Sequence, residues 1–79
     1  MKIESASEFG TLVKKVRNAQ KLTQSELAGA CGVGLRFIVD LEKGKPTCEI
    51  EKALIVANML GIKLIAQEPP DLNGASHGG

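Results

Sequence analysis

Two capping boxes, Ser5 with Glu8 and Thr23 with Glu26, stand 18 residues apart and set two helix starts in this chain. In such a box the hydroxyl accepts the backbone N–H three residues on. The carboxylate reaches back to the N–H of the cap, so two orphan donors of the helix start are satisfied together. Behind Ser5, the residues Phe9, Leu12, Val13 and Val16 recur at i, i+3, i+4 and i+7, which predicts a helix over 6–20. Behind Thr23, Leu27, Ala28 and Cys31 form the inner stripe of a shorter helix over 24–31. Gly32 stops it, because glycine accepts the left-handed conformation just past a helix end, and Val33 and Gly34 complete a tight turn. A third helix over 35–43 turns Ile38 and Leu41 inward and ends at Gly44, with Pro46 barring continuation.

Thr47 can cap a fourth helix over 48–60, with Glu49 and Glu51 near its positive end. Ile50, Leu54, Ala57 and Leu60 read as its main apolar stripe, which Ile55, Val56 and Met59 widen beyond what one small core needs. After Gly61 the period changes: Ile62, Leu64 and Ala66 alternate with Lys63, Ile65 and Gln67, the pattern of one short strand. A lone strand leaves its backbone donors and acceptors unmet. Pairing with the same strand of a second copy, antiparallel across a two-fold axis, satisfies them, and assigns Ile62, Leu64 and Ala66 to dimerisation. The alternative is an extended tail packed on the fourth helix. The expected architecture is therefore all-α: a four-helix domain over 1–67, with one short C-terminal strand over 62–67 paired across a dimer, then a flexible tail over 68–79.

Size and composition point the same way. A chain of 79 residues makes one domain, and a domain this small buries only about 60% of its unfolded surface, so it gains from a disulfide, a metal or a partner chain. Cys31 and Cys48 lack the paired spacing of a zinc site and read as reduced thiols, while the one histidine, His77, sits in a glycine-rich tail. No metal or other cofactor is expected, which leaves the partner chain. Residues 1–10 hold no apolar run, and no stretch approaches the roughly 20 apolar residues of a membrane span, so a cytoplasmic protein with no membrane partner is expected. There is no Ser/His/Asp or Cys/His pairing within the domain and no glycine-rich phosphate loop, and an enzyme is not expected. Net charge is only +1, so any affinity for nucleic acid must come from where the charges lie.

The stretch 22–44 carries the function. Its two short helices, joined at Gly32, pack through Leu27, Ala28, Val33, Ile38 and Leu41, with Ala28 small where they cross. That packing holds the third helix away from the body, where it can lie in a DNA major groove about 12 Å wide. Thr-Gln-Ser-Glu-Leu-Ala from Thr23, Gly-Val at Gly32, and Ile-Val-Asp-Leu-Glu-Lys-Gly-Lys from Ile38 resemble the phage-repressor-type (Xre/Cro-like) helix-turn-helix family. The longer run over 36–47, followed by one helix and Leu-Gly-Ile-Lys-Leu, is closest to HipB-like antitoxins, and the similarity covers about residues 3–67.

The resemblance implies roles residue by residue. Thr23 and Gln24 match positions that hold backbone phosphate at the positive end of the second helix. Leu35, Arg36, Val39 and Asp40 match the groove-facing side of the recognition helix, and Lys43 and Lys45 the phosphate-facing loop after it. Arg17 and Glu42 match a structural ion pair between the first helix and the end of the third. Leu35 departs from the pattern, standing where repressors often place Gln, so its contact would be apolar, for instance to a thymine methyl. Gly34 replaces a capping Ser. Arg36 is left as the strong base reader, with guanine its natural target, the alternative being a phosphate contact or a solvated charge. Asp40, four residues on, orients it by an i,i+4 pair, faces solvent, or accepts from a cytosine amino group. Implied partners are double-stranded DNA with a palindromic operator, a second copy of the chain, and a HipA-type serine/threonine kinase toxin. Alternatives are a free-standing regulator, or a module that mainly binds protein.

Overall fold

A computed structural model describes residues 2–46 and 49–71. Helix α1, Ala6–Ala19, starts where Ser5 Oγ accepts the Glu8 N–H at 3.1 Å. The reciprocal half of that box differs from expectation, because Glu8 Oε1 accepts from the Glu4 N–H at 2.6 Å, one residue beyond the cap. Helix α2, Gln24–Cys31, has the complete box: Thr23 Oγ1 accepts the Glu26 N–H at 3.0 Å, and Glu26 Oε1 accepts the Thr23 N–H at 2.8 Å. Helix α3, Leu35–Glu42, follows Gly34, which supplies no side-chain cap. Helix α4, Ile50–Leu60, starts at Glu49, also without a side-chain cap. It begins two residues later than the sequence predicts, and the expected cap Thr47 lies outside the described residues, as do Cys48 and His77.

All four helices end alike. The N–H two residues past the last full turn returns to a carbonyl five residues earlier: Leu22 to Arg17 (3.1 Å), Val33 to Ala28 (3.1 Å), Lys45 to Asp40 (3.0 Å) and Ile62 to Ala57 (2.8 Å). This Schellman closure needs a left-handed residue at the turn. Gly32, Gly44 and Gly61 supply it for α2, α3 and α4, but α1 uses Lys21 at φ 60°.

The core gathers one stripe from each helix. Val13, Leu27, Ile38 and Val56 are fully buried, with Ala28, Leu41, Ala57 and Leu60 nearly so. Phe9, Val16, Leu22, Cys31, Val33, Phe37, Ala53 and Ile62 pack around them. Helix α3 lies chiefly against α1 and α2, and α4 closes the other side of the same pair. Two glycines let α1 press onto the end of α3. A Cβ on Gly10 would collide with the carbonyl oxygens of Leu41 and Glu42, and one on Gly44 would lie 2.6 Å from the Ser7 Cα.

The face of α4 needs correction. Its core side is Ala53, Val56, Ala57 and Leu60, whereas Ile50 (75% exposed) and Leu54 (48%) from the expected main stripe point outward. Ile55 and Met59 are exposed as well. Among the described residues there is no strand: residues 62–67 form no ladder within the single chain. Ile62 folds back on the core, while Leu64, Ile65 and Ala66 lie in solvent. No helix among the described residues is long and apolar enough to cross a membrane.

Candidate nucleic-acid interface

Helices α2 and α3 are joined by three residues, Gly32 in the left-handed conformation, Val33 tucked into the core and extended Gly34. Because Ile38 and Leu41 anchor α3 from beneath, its other side has to face away from the domain. On that side lie Leu35, 48% exposed, and Arg36, whose side chain is 83% exposed, together with half-buried Val39 and Asp40. Lys43 and Lys45 are exposed just beyond the helix end.

Asp40 sits between two cations. Its Oδ1 is 3.5 Å from Arg36 Nε and its Oδ2 is 3.6 Å from Lys45 Nζ. The i,i+4 pairing with Arg36 is the one the sequence spacing suggests. At this exposure such pairs contribute little to stability, but they restrict where the guanidinium can swing. Phe37 backs α3 onto α4, with Lys52 Nζ 5.9 Å from the ring centroid.

Beneath the interface runs a buried polar network. Arg17 Nε donates to Glu42 Oε2 at 2.6 Å and Nη2 donates to Oε1 at 3.0 Å, a two-pronged pair whose side chains are 9% and 3% exposed. Arg17 Nη1 donates to the Leu22 carbonyl at 2.7 Å. The hydrogen bonds that Arg17 donates to Glu42 push its pKa above its already high ordinary value, outweighing burial, which acts the other way. Arg17 and Glu42 therefore bind the end of α1 to the end of α3, and the Leu22 contact ties in the entry to α2.

Gln24 joins this network, its Nε2 donating to Glu42 Oε1 at 3.0 Å. The resemblance implies a phosphate contact for Gln24, and this scaffold bond is a further role that it does not imply. Thr23 spends its oxygen as the acceptor of its own capping box, and its hydroxyl hydrogen remains able to donate outward. Two further contacts escaped the sequence reading. Gln20 Nε2 donates to the Leu60 carbonyl at 2.8 Å, fixing α1 to the end of α4. Gly10 is the other: a glycine inside a periodic helix costs stability and so invites a packing reason, but Gly29 shows the same signal with open space around it. Cys31 is a free, half-buried thiol whose pKa burial pushes up, which suits a core position rather than a reactive one.

A short capped helix, a glycine turn and a second helix held proud of a four-helix body by a buried ion pair define a helix-turn-helix domain. Comparison with known proteins agrees. Residues 13–66, more than half of the chain, match the helix-turn-helix family. A protein of Sinorhizobium fredii (strain NBRC 101917 / NGR234), described as the uncharacterized HTH-type transcriptional regulator y4mF, is 54% identical over 63 residues, covering 80% of this chain and 83% of its own. Two solved structures share the fold at 24% identity, each covering 86% of this chain and 96% of its own: a HipB-O4 20mer complex, TM-score 0.77, and one called MDT Protein, TM-score 0.78. This chain belongs to the helix-turn-helix family of the phage-repressor (Xre-like) type.

Proposed function

We propose that this protein is a sequence-specific DNA-binding repressor that acts as a homodimer on a palindromic operator. The observation that carries the reading is the asymmetry of α3: Ile38 and Leu41 are 0% and 3% exposed, while Arg36 on the opposite side is 83% exposed. A guanidinium held out on a helix of this kind is suited to the O6 and N7 acceptors of guanine in the major groove. Leu35, Val39 and Asp40 flank it, Thr23 and Gln24 approach the backbone from the start of α2, and Lys43 and Lys45 approach it from beyond α3.

The dimer reading rests on apolar surface. Ile50, Leu54, Ile55 and Met59 on α4, with Leu64 and Ile65 after it, are all at least 41% exposed. An open groove of about 950 Å³ runs between the N-terminal segment, α1, α4 and residues 62–67, lined by Ile3, Phe9, Leu12, Leu54, Ile62 and Leu64 among others. A second copy that pairs residues 62–67 antiparallel would cover this surface and meet the strand's backbone donors and acceptors.

The finer reading is that of an antitoxin, which also binds and restrains a HipA-type serine/threonine kinase so that the complex represses its own operon. It is supported by the likeness of residues 36–47 and 60–64 to HipB-like antitoxins. The S. fredii relative, named as a transcriptional regulator, supports the repressor reading alone. A rival reading, a module that mainly holds protein, is favoured by the net charge of +1 and by Leu35.

Fluorescence anisotropy of the protein against its own upstream DNA at two salt concentrations, with random duplex as control, separates them. Preferential, salt-sensitive binding supports the repressor. Equal weak binding to both duplexes sinks it and favours the protein-binding module. Co-purification with a kinase encoded beside the gene tests the antitoxin reading.

A further inference from the structure

The outer side of α3 carries two parallel rows, each spaced by one turn. One row is charged, Arg36 and Asp40, which form an ion pair at 3.5 Å. The other is apolar, Leu35 and Val39. Leu35 is the first residue of the helix and is 48% exposed, although the core beneath α3 is already filled by Ile38, Leu41 and Phe37. A leucine held in water at the tip of a recognition helix, beside an arginine, has no hydrogen bond to offer a base. In the major groove, the one apolar group on a base edge is the C5-methyl of thymine.

We infer that Leu35, backed by Val39, reads a thymine 5-methyl group next to the guanine taken by Arg36, so that part of the operator's sequence information is carried by a methyl group. The neighbouring charges support this placement. Asp40 holds Arg36 to one row and leaves Leu35 the adjacent step of the groove, while Lys43 and Lys45 lie beyond the far end of the helix, away from Leu35. Gly34, with no side chain before Leu35 and nothing within 4 Å of where a Cβ would be, lets the helix tip approach the bases closely.

The inference rests on the DNA-binding reading and can fail separately from it. Duplexes are selected by the full-length protein from a random 20-base-pair library, and each thymine of the recovered site is then replaced singly by deoxyuridine. This change removes the methyl and leaves every hydrogen-bonding group in place. Binding should weaken at one thymine per half-site, by roughly fourfold for the loss of one buried methyl, and be unaffected at the others. Leu35→Ala should lose that discrimination, Leu35→Met should retain it, and circular dichroism should show both variants folded, since Leu35 lies outside the core. Tight binding that is indifferent to deoxyuridine at every position would overturn the inference while leaving the repressor intact. So would a deoxyuridine penalty that survives in Leu35→Ala. If no sequence is enriched over random duplex, the DNA-binding reading falls, and the exposed leucine passes to a protein partner.

Discussion

At the scale of single residues, the most instructive positions are glycines that look alike in the sequence. Gly10 and Gly29 both sit inside helices, where alanine ordinarily gains about 0.5–1 kcal/mol over glycine. A Cβ on Gly29 meets nothing within 4 Å, so Gly29→Ala should raise the unfolding free energy by about that amount, seen as a higher urea midpoint at unchanged slope. On Gly10 it would strike backbone oxygens of α3, which cannot rotate aside, and Gly10→Ala should instead cost about 1–3 kcal/mol. Equal shifts for the two variants would show that α1 does not rest on α3 there. The proposed contacts with DNA separate in the same way. Arg36→Ala should cost about 1–3 kcal/mol per half-site and relax the base preference, whereas Lys43→Ala should weaken all sequences alike and reduce the salt slope by about one per half-site. Titrations against selected and random duplex at several salt concentrations read both effects.

At the scale of elements, what matters is how α3 is held. Glu42 accepts from both Arg17 and Gln24 with its side chain 3% exposed, so three helices meet on one carboxylate. Arg17→Leu strands that carboxylate and should cost about 3–5 kcal/mol, a large share of a small domain's stability. Arg17→Leu with Glu42→Leu removes both charges and should recover most of the loss. Urea unfolding of the two singles and the double closes the cycle, and additive losses would mean that the pair is not coupled. The end of α1 offers a gain. Lys21 holds a left-handed conformation that costs an ordinary residue about 1–2 kcal/mol, so Lys21→Gly should raise stability by about 1 kcal/mol after glycine's own entropy is counted. A thermal melt shows it directly.

At the scale of the whole molecule, the domain carries more apolar surface than a monomer of its size needs. Ile65 is 87% exposed and Ile50 75%. If a second copy covers them, deleting residues 62–67 should halve the mass seen by light scattering, and the melting temperature of the intact protein should rise with its concentration. An unchanged mass on deletion would rule out the strand-paired interface. A two-fold dimer also sets a length: the two copies of α3 should read half-sites about 34 Å, or 10 base pairs, apart. A footprint with another spacing would require a different dimer.

Most helix ends in this protein could be read without a structure, because capping is local chemistry. Thr23 with Glu26 set the start of α2, and Gly32, Gly44 and Gly61 set the ends of α2, α3 and α4, since a few adjacent backbone groups decide each one. The helix-turn-helix itself was legible for the same reason, as was the i,i+4 pairing of Arg36 with Asp40. Where local chemistry was silent, only packing could decide. Helix α4 is apolar nearly all round, so its period did not distinguish Val56 in the core from Ile50 and Leu54 outside it. The bond from Gln24 to Glu42 could not be foreseen until the two were brought within 3.0 Å, and Gly10 mattered only once α3 lay across it. Each of these depends on residues far apart in the chain, whose contact exists only after the helices have docked.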